Sequence, residues 1–152
     1  MAVFIGVLLV AWELRQNTIS SRIQNTTEMF GTLIEFNSAF LGENPAEILS
    51  KACLDHDSLT PEEKVVLAAM FRIRMLSTGR DASIEGISNF GVDFESPIRT
   101  SFSALFNYQY FREQYVVQKG NMPSTWVAIG DELLSDYEPM DCSQGILPAT
   151  WL

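Results

Sequence analysis

Eleven apolar residues run unbroken from Ala2 to Trp12, and the chain changes character at Glu13 and Arg15. Beyond that point Ile19, Ile23, Thr26, Phe30, Leu33, Asn37 and Leu41 recur at three and four residues, the period of one helix face. No proline falls between residues 2 and 44, so the pattern predicts one helix over about 2–41. Gly42 is a natural left-handed cap and Pro45 cannot continue the helix.

Pro45 instead suits the first turn of a short helix, PAEILSKACL, with Asn44 as its N-cap. The strongest start signal follows in TPEEKVVLAAMFRIRML. Thr60 can accept from the Glu63 amide, Pro61 sits where its missing N–H costs nothing, and Glu62 and Glu63 meet the positive end of the helix dipole. Val66, Ala69, Met70, Ile73 and Leu76 form the expected inward face. From Ser77 to Ser96 three glycines, several serines and no sustained period predict a long connection. Helix resumes at Pro97 with Ser96 as cap and runs to Gly120. One stripe there holds Ile98, Phe102, Leu105, Phe106, Gln109 and Val116, and a second holds Tyr108, Phe111 and Tyr115, which implies a central helix touched on more than one side. Trp126, Ile129, Leu133 and Tyr137 mark a last helix closed by Pro139. No strand alternation of useful length and no internal repeat is present. The expected fold is all-α, a helical bundle around the long N-terminal helix (about 2–41) and the central helix (about 97–119), with residues 1–12 as an apolar N-terminal segment and 13–152 as the helical domain.

At 152 residues the chain suits one domain and one core. It is 47% hydrophobic and only 19% charged, which excludes global disorder. A net charge of -9 argues against nucleic acid, whose phosphates require a basic face. From Asp131 onward there are five acids and no Lys or Arg, an end that reads as solvated or as a partner-binding tail. The two cysteines, Cys53 and Cys142, make neither a disulfide framework nor a zinc site and read as free thiols in a reducing compartment.

Chemistry is sparse. His56 is the only histidine and lies in CLDHDS beside Asp55 and Asp57. A metal would take Asp55, His56 and Asp57, with the Cys53 thiol as a further donor. The competing reading is a polar loop whose Asp57 or Ser58 turns the chain toward the Thr60 cap. One loop with no second ligand cluster completes no metal shell, so neither a metal nor a cofactor is expected. There is no G-x-S-x-G elbow, no cysteine in an activated motif and no phosphate-cradling loop, so the chain is not expected to be an enzyme. The aromatic run FNYQYFREQY, Phe106 to Tyr115, could stack on bases or line an apolar pocket, but its helical spacing reads first as core. An active site of unrecognised kind would need the His56 loop and Arg112 to converge. His56, Asp55, Asp57 and Arg112 are therefore the candidate polar site.

Several stretches together resemble a family of small, uncharacterised bacterial membrane-associated proteins. They are the apolar start running into Arg15, Gln16, Asn17 and Thr18; Asp55, Asp57, Leu59, Thr60, Glu62 and Glu63; and the aromatic, Gln-bearing stretch Tyr108–Tyr115 followed by Gly120 and Trp126. The resemblance implies a membrane-spanning helix, a cytoplasmic helical domain and no catalytic residues to carry over. Here the apolar segment is short, residues 77–96 look longer than the family's connection, and such proteins continue past the position of Trp151 and Leu152, which raises truncation at either end.

Residues 1–12 give about 18 Å of helix against roughly 30 Å of hydrocarbon, too little to span a bilayer alone. No basic residue precedes the run and no small-residue cleavage pattern follows it, as a signal peptide would require. If further apolar residues precede Met1, Arg15 and Arg22 place the body in the cytoplasm, at a bacterial inner membrane. Two functions compete. One is a membrane-anchored helical interaction or regulatory module without catalysis, with a protein partner or a second copy. The other is a soluble, cytoplasmic helical protein that self-associates or binds a small apolar ligand.

Overall fold

The computed structural model describes residues 2–88 and 95–136. Among them are six α-helices and no strand: α1 (Ala2–Ser38), α2 (Pro45–Leu54), α3 (Pro61–Ser88), α4 (Glu95–Phe106), α5 (Gln109–Gln118) and α6 (Ser124–Ser135). Short 3-10 turns cover His56–Ser58 and Lys119–Asn121. The fold is an all-α bundle with α3 at its hub. α1 packs along α3, which also touches α2, α4 and α5, while α6 closes on α4.

α1 ends three residues before the expected 41. Its last turn holds two competitors for the backbone: Asn37 Nδ2 donates to the Leu33 carbonyl at 2.8 Å and Ser38 Oγ to that of Ile34 at 2.8 Å. The chain tightens into a turn, and Gly42 reverses it with φ +67, the left-handed backbone expected of that glycine. The packed face is Ile19, Ile23, Thr26, Phe30, Ile34, Asn37 and Leu41. Leu33, expected inside, is exposed, because a straight helix of 3.6 residues per turn carries the stripe from Phe30 to Ile34.

Thr60 starts α3 as expected. Its hydroxyl accepts from the Glu63 amide at 3.3 Å, and Glu63 Oε2 accepts from the Thr60 amide at 2.7 Å, a reciprocal capping box. Lys51 of α2 bonds the same carboxylate at 2.8 Å, tying α2 to this corner. Asn44 stands at the start of α2 without a side-chain cap bond, and α4 begins at Glu95 rather than after a Ser96 cap.

The connection expected over 77–96 is instead helix as far as Ser88; residues 89–94 lie outside the described residues. Tertiary packing overrides weak local preference here. Thr78 and Ala82 are buried, and the Thr78 hydroxyl meets Ser101 Oγ of α4 at 2.6 Å and the Arg74 carbonyl at 2.9 Å. Gly79 lets its neighbours come close, since a Cβ there would stand 3.2 Å from the Phe30 ring and 3.5 Å from Trp126. Fully buried Leu67 and Phe71 also belong to α3, so it presents more than the one face that the sequence pattern marks.

The expected central helix is broken in two. Tyr108 takes an extended backbone, φ -107 and ψ 129, between α4 and α5. Its amide closes onto the Leu105 carbonyl at 3.0 Å, and its own carbonyl receives the amides of Phe111 and Arg112. The Phe106 carbonyl, freed from the helix ladder, accepts from the Arg112 guanidinium. The break changes the helical phase. Gln109 and Val116, expected inside, are exposed, while Tyr110 joins Tyr108, Phe111 and Tyr115 in the core.

Phe102, Phe106 and Tyr115 form a triangle of rings, with centroids 5.2, 5.3 and 5.2 Å apart. α6 closes over it at Gly130, where a Cβ would stand 2.5 Å from the Tyr115 ring. Ile129 of α6 is buried; Tyr137, Pro139 and the tail to Leu152, Cys142 included, lie outside the described residues. Gly130→Ala should destabilise the bundle by about 1–3 kcal/mol through overpacking. Gly31→Ala, with nothing near its Cβ, should instead stabilise by about 0.5–1 kcal/mol through helix propensity. Urea unfolding of the two variants checks both signs.

Candidate functional site

The His56 loop is built by the end of α2. The Asp55 amide closes onto the Lys51 carbonyl at 2.8 Å, and Ser58 donates through both its amide and its hydroxyl to the Asp55 carbonyl. Leu59 is buried and pins the turn. His56 consequently lies mostly inside, its ring 6.5 Å from that of Tyr110. Asp57 Oδ1 stands 3.5 Å from Nδ1 and Glu113 Oε2 stands 3.3 Å from Nε2, but neither oxygen is aligned for a hydrogen bond, so both buried ring nitrogens lack one.

Of the four nominated residues, His56 and Asp57 meet. Asp55 contributes its backbone to the turn, and Arg112 serves the helix break at Phe106. The carboxylate that meets His56 from α5 is Glu113, the neighbour of Arg112. Its role had no sequence signal, because it depends on the phase of a helix that restarts at Gln109. Glu113 also accepts from Gln109 at 2.9 Å. Among the described residues no group of three or more His, Cys, Asp or Glu side chains could hold a metal. The loop offers an imidazole between two carboxylates.

Cys53 packs against the core and is disulfide-bonded, which corrects the expectation of a free thiol at this position. The sequence has one other cysteine, Cys142.

Tyr115 is the most constrained polar group. Its hydroxyl lies 2.9 Å from the Val127 carbonyl and 3.0 Å from Asp131 Oδ1, two acceptors for one proton. Lys119 reaches Asp131 at 2.8 Å and sits over the Tyr115 ring. Burial pushes the Tyr115 phenol far above its usual range, and the Asp131 carboxylate adds to the shift. Lys119 and then the Tyr115 hydroxyl hold Asp131 below the usual carboxylate range.

Two apolar features complete the surface. The first is a cavity of about 790 Å³ between α1, α3, α4 and α6. Phe30 enters it from α1, and Met75, Gly79 and Ala82 from α3. Ile98 of α4, Met122 of the turn before α6, and Trp126 and Ile129 of α6 complete the apolar walls. The second is the start of α1, where Val3 to Leu14 are exposed on every side, Val3 to 82% and Trp12 to 60%. No described helix is long and apolar enough to cross a membrane. No protein-family model, curated protein or solved structure matches the chain.

Burial raises the phenol pKa of Tyr108, Tyr110 and Tyr115 above the ordinary 10.0. A raised folded-state pKa contributes stability that is whole below the unfolded value and declines as pH climbs past it. The bundle should therefore lose stability above about pH 10, and Tyr115→Phe should flatten that decline while costing about 1 kcal/mol at neutral pH. Urea midpoints across pH 7–11 read both effects.

Proposed function

We propose that the protein is a non-catalytic helical interaction module held at a membrane by the start of α1. The observation that carries this reading is the exposed, wholly apolar helix surface from Val3 to Trp12. A helix with one apolar stripe suits a single partner helix; one that is apolar all round suits immersion in an apolar phase. Its length embeds it in about one leaflet, so it acts as an anchor. The bundle is acidic at net charge -9, so apolar insertion supplies the attraction rather than charge. For the compartment, the Cys53 disulfide weighs toward an oxidising side, against the cytoplasmic side suggested by Arg15 and Arg22.

Flotation with phosphatidylcholine vesicles tests the anchor. The full-length protein should float, and Leu8→Asp should reduce partitioning about a hundred-fold, the effect of roughly 3 kcal/mol at an embedded position. Because Leu8 is exposed, the thermal midpoint of the variant should match that of the parent. Equal flotation of parent and variant would remove the anchor reading.

A second reading, self-association, has its own observation. Met29, Leu33 and Phe36 are exposed on α1 at spacings of four and three, a coiled-coil period, and Phe40 in the turn that follows stacks edge-on against Phe36. Sedimentation of Leu8→Asp, which removes anchor-driven aggregation, should show a concentration-dependent dimer that Phe36→Glu abolishes; a monomer at all concentrations would exclude it.

A further inference from the structure

We propose that the protein binds a long-chain carboxylate, with the acyl chain in the cavity between α1, α3, α4 and α6 and the head group at Arg72 of α3. Arg72 lines a second cavity, of about 400 Å³, set between α1, α3 and the turn that joins α5 to α6. Met75, Leu76, Asn121 and Met122 border both spaces, so one runs on into the other past two unbranched methionine side chains that can adapt to an occupant. The larger space, at about 790 Å³, lies within the range of small-molecule sites, roughly 300–1,000 Å³. The rings of Phe30 and Trp126 in its walls suit it to a hydrocarbon chain.

The polar side chains of the smaller cavity favour an anionic head. Arg72 is exposed, so a carboxylate that meets it keeps part of its hydration and avoids the cost of burying a charge. The guanidinium presents two parallel N–H donors that match the two oxygens of a carboxylate. Gln118 donates one amide hydrogen to Gln114 Oε1 at 3.1 Å and has a second to offer, and Asn121 brings a further amide to the same cavity. At net charge -9 the chain does not gather anions from a distance, so recognition rests on these contacts and on the acyl chain behind them. A neutral alcohol of equal length gains the apolar part but forgoes the paired contact.

Displacement of N-phenyl-1-naphthylamine, an uncharged apolar fluorophore, from the full-length protein tests the site. Dodecanoate should displace it about five-fold better than dodecan-1-ol, the scale of one charge-assisted contact at a solvated rim. Arg72→Gln should remove that preference without changing displacement by dodecan-1-ol. Gln118→Glu, which sets a second carboxylate against the head, should remove it from the α5 side. Thr125→Trp, at an exposed position on the wall of the larger cavity, should instead weaken both ligands and leave their ratio unchanged. Circular dichroism and thermal midpoints identify the variants that keep the parental fold. Equal displacement by the two ligands in the parent protein would overturn the proposal, as would a preference that survives in folded Arg72→Gln or Gln118→Glu. Absence of saturable probe binding would overturn it too. The outcome is independent of vesicle flotation, since Leu8 lies outside both cavities and probe bound at the start of α1 would not respond to Arg72.

Discussion

Three rings, Phe102, Phe106 and Tyr115, hold the body of this protein together, and Tyr115 reaches the other two only because the chain between α4 and α5 is broken. A continuous helix would spread residues 102–115 along about 20 Å of axis. The extended backbone at Tyr108 folds that length back on itself and stacks the rings into one aromatic core. Everything around the break supports it: Arg112 satisfies the carbonyl that the helix abandons, and Tyr108 is itself buried. Tyr115 then links the aromatic core to α6 through its hydroxyl, under a glycine that leaves room for nothing larger.

Legibility in the sequence follows the range of the interactions concerned. The Thr60–Glu63 capping box is local, three residues from end to end, and it forms as the spacing predicts. Gly42 is equally local. The helical state of residues 77–88 has no local warrant, because Gly79 and several small polar residues weaken it; what holds it is contact with Phe30, Trp126 and Ser101, from distant parts of the chain. The break at Tyr108 was hidden for the opposite reason, since each half is a good helix and no Pro or Gly marks the join.

The candidate polar site shows the same division. The place of His56 in a short polar loop was readable from the sequence, and so was its closeness to Asp57, its neighbour in the chain. Its meeting with Glu113 depends on where α5 restarts and how that helix is rotated. The disulfide at Cys53 and the cavity walls, drawn from four helices and a turn, are likewise products of tertiary placement. Apolar periodicity identifies residues that face a neighbour, but it does not distinguish a filled contact from one that leaves space.

The exposed first turns of α1 have a consequence for the backbone itself. The half of α1 from Ile19 onward is held by packing on α3; the exposed stretch up to Trp12 is rich in Val, Ile and Gly, which are poor guarantors of a helix in water. Its peptide groups have water as an alternative partner when the segment is solvated and none when it lies among hydrocarbon chains. The packed half therefore serves as a template from which helical order extends, and the surrounding medium determines how far. Such a segment reports on its environment through its own conformation, ordered along its length in an apolar phase and progressively frayed toward Ala2 in an aqueous one.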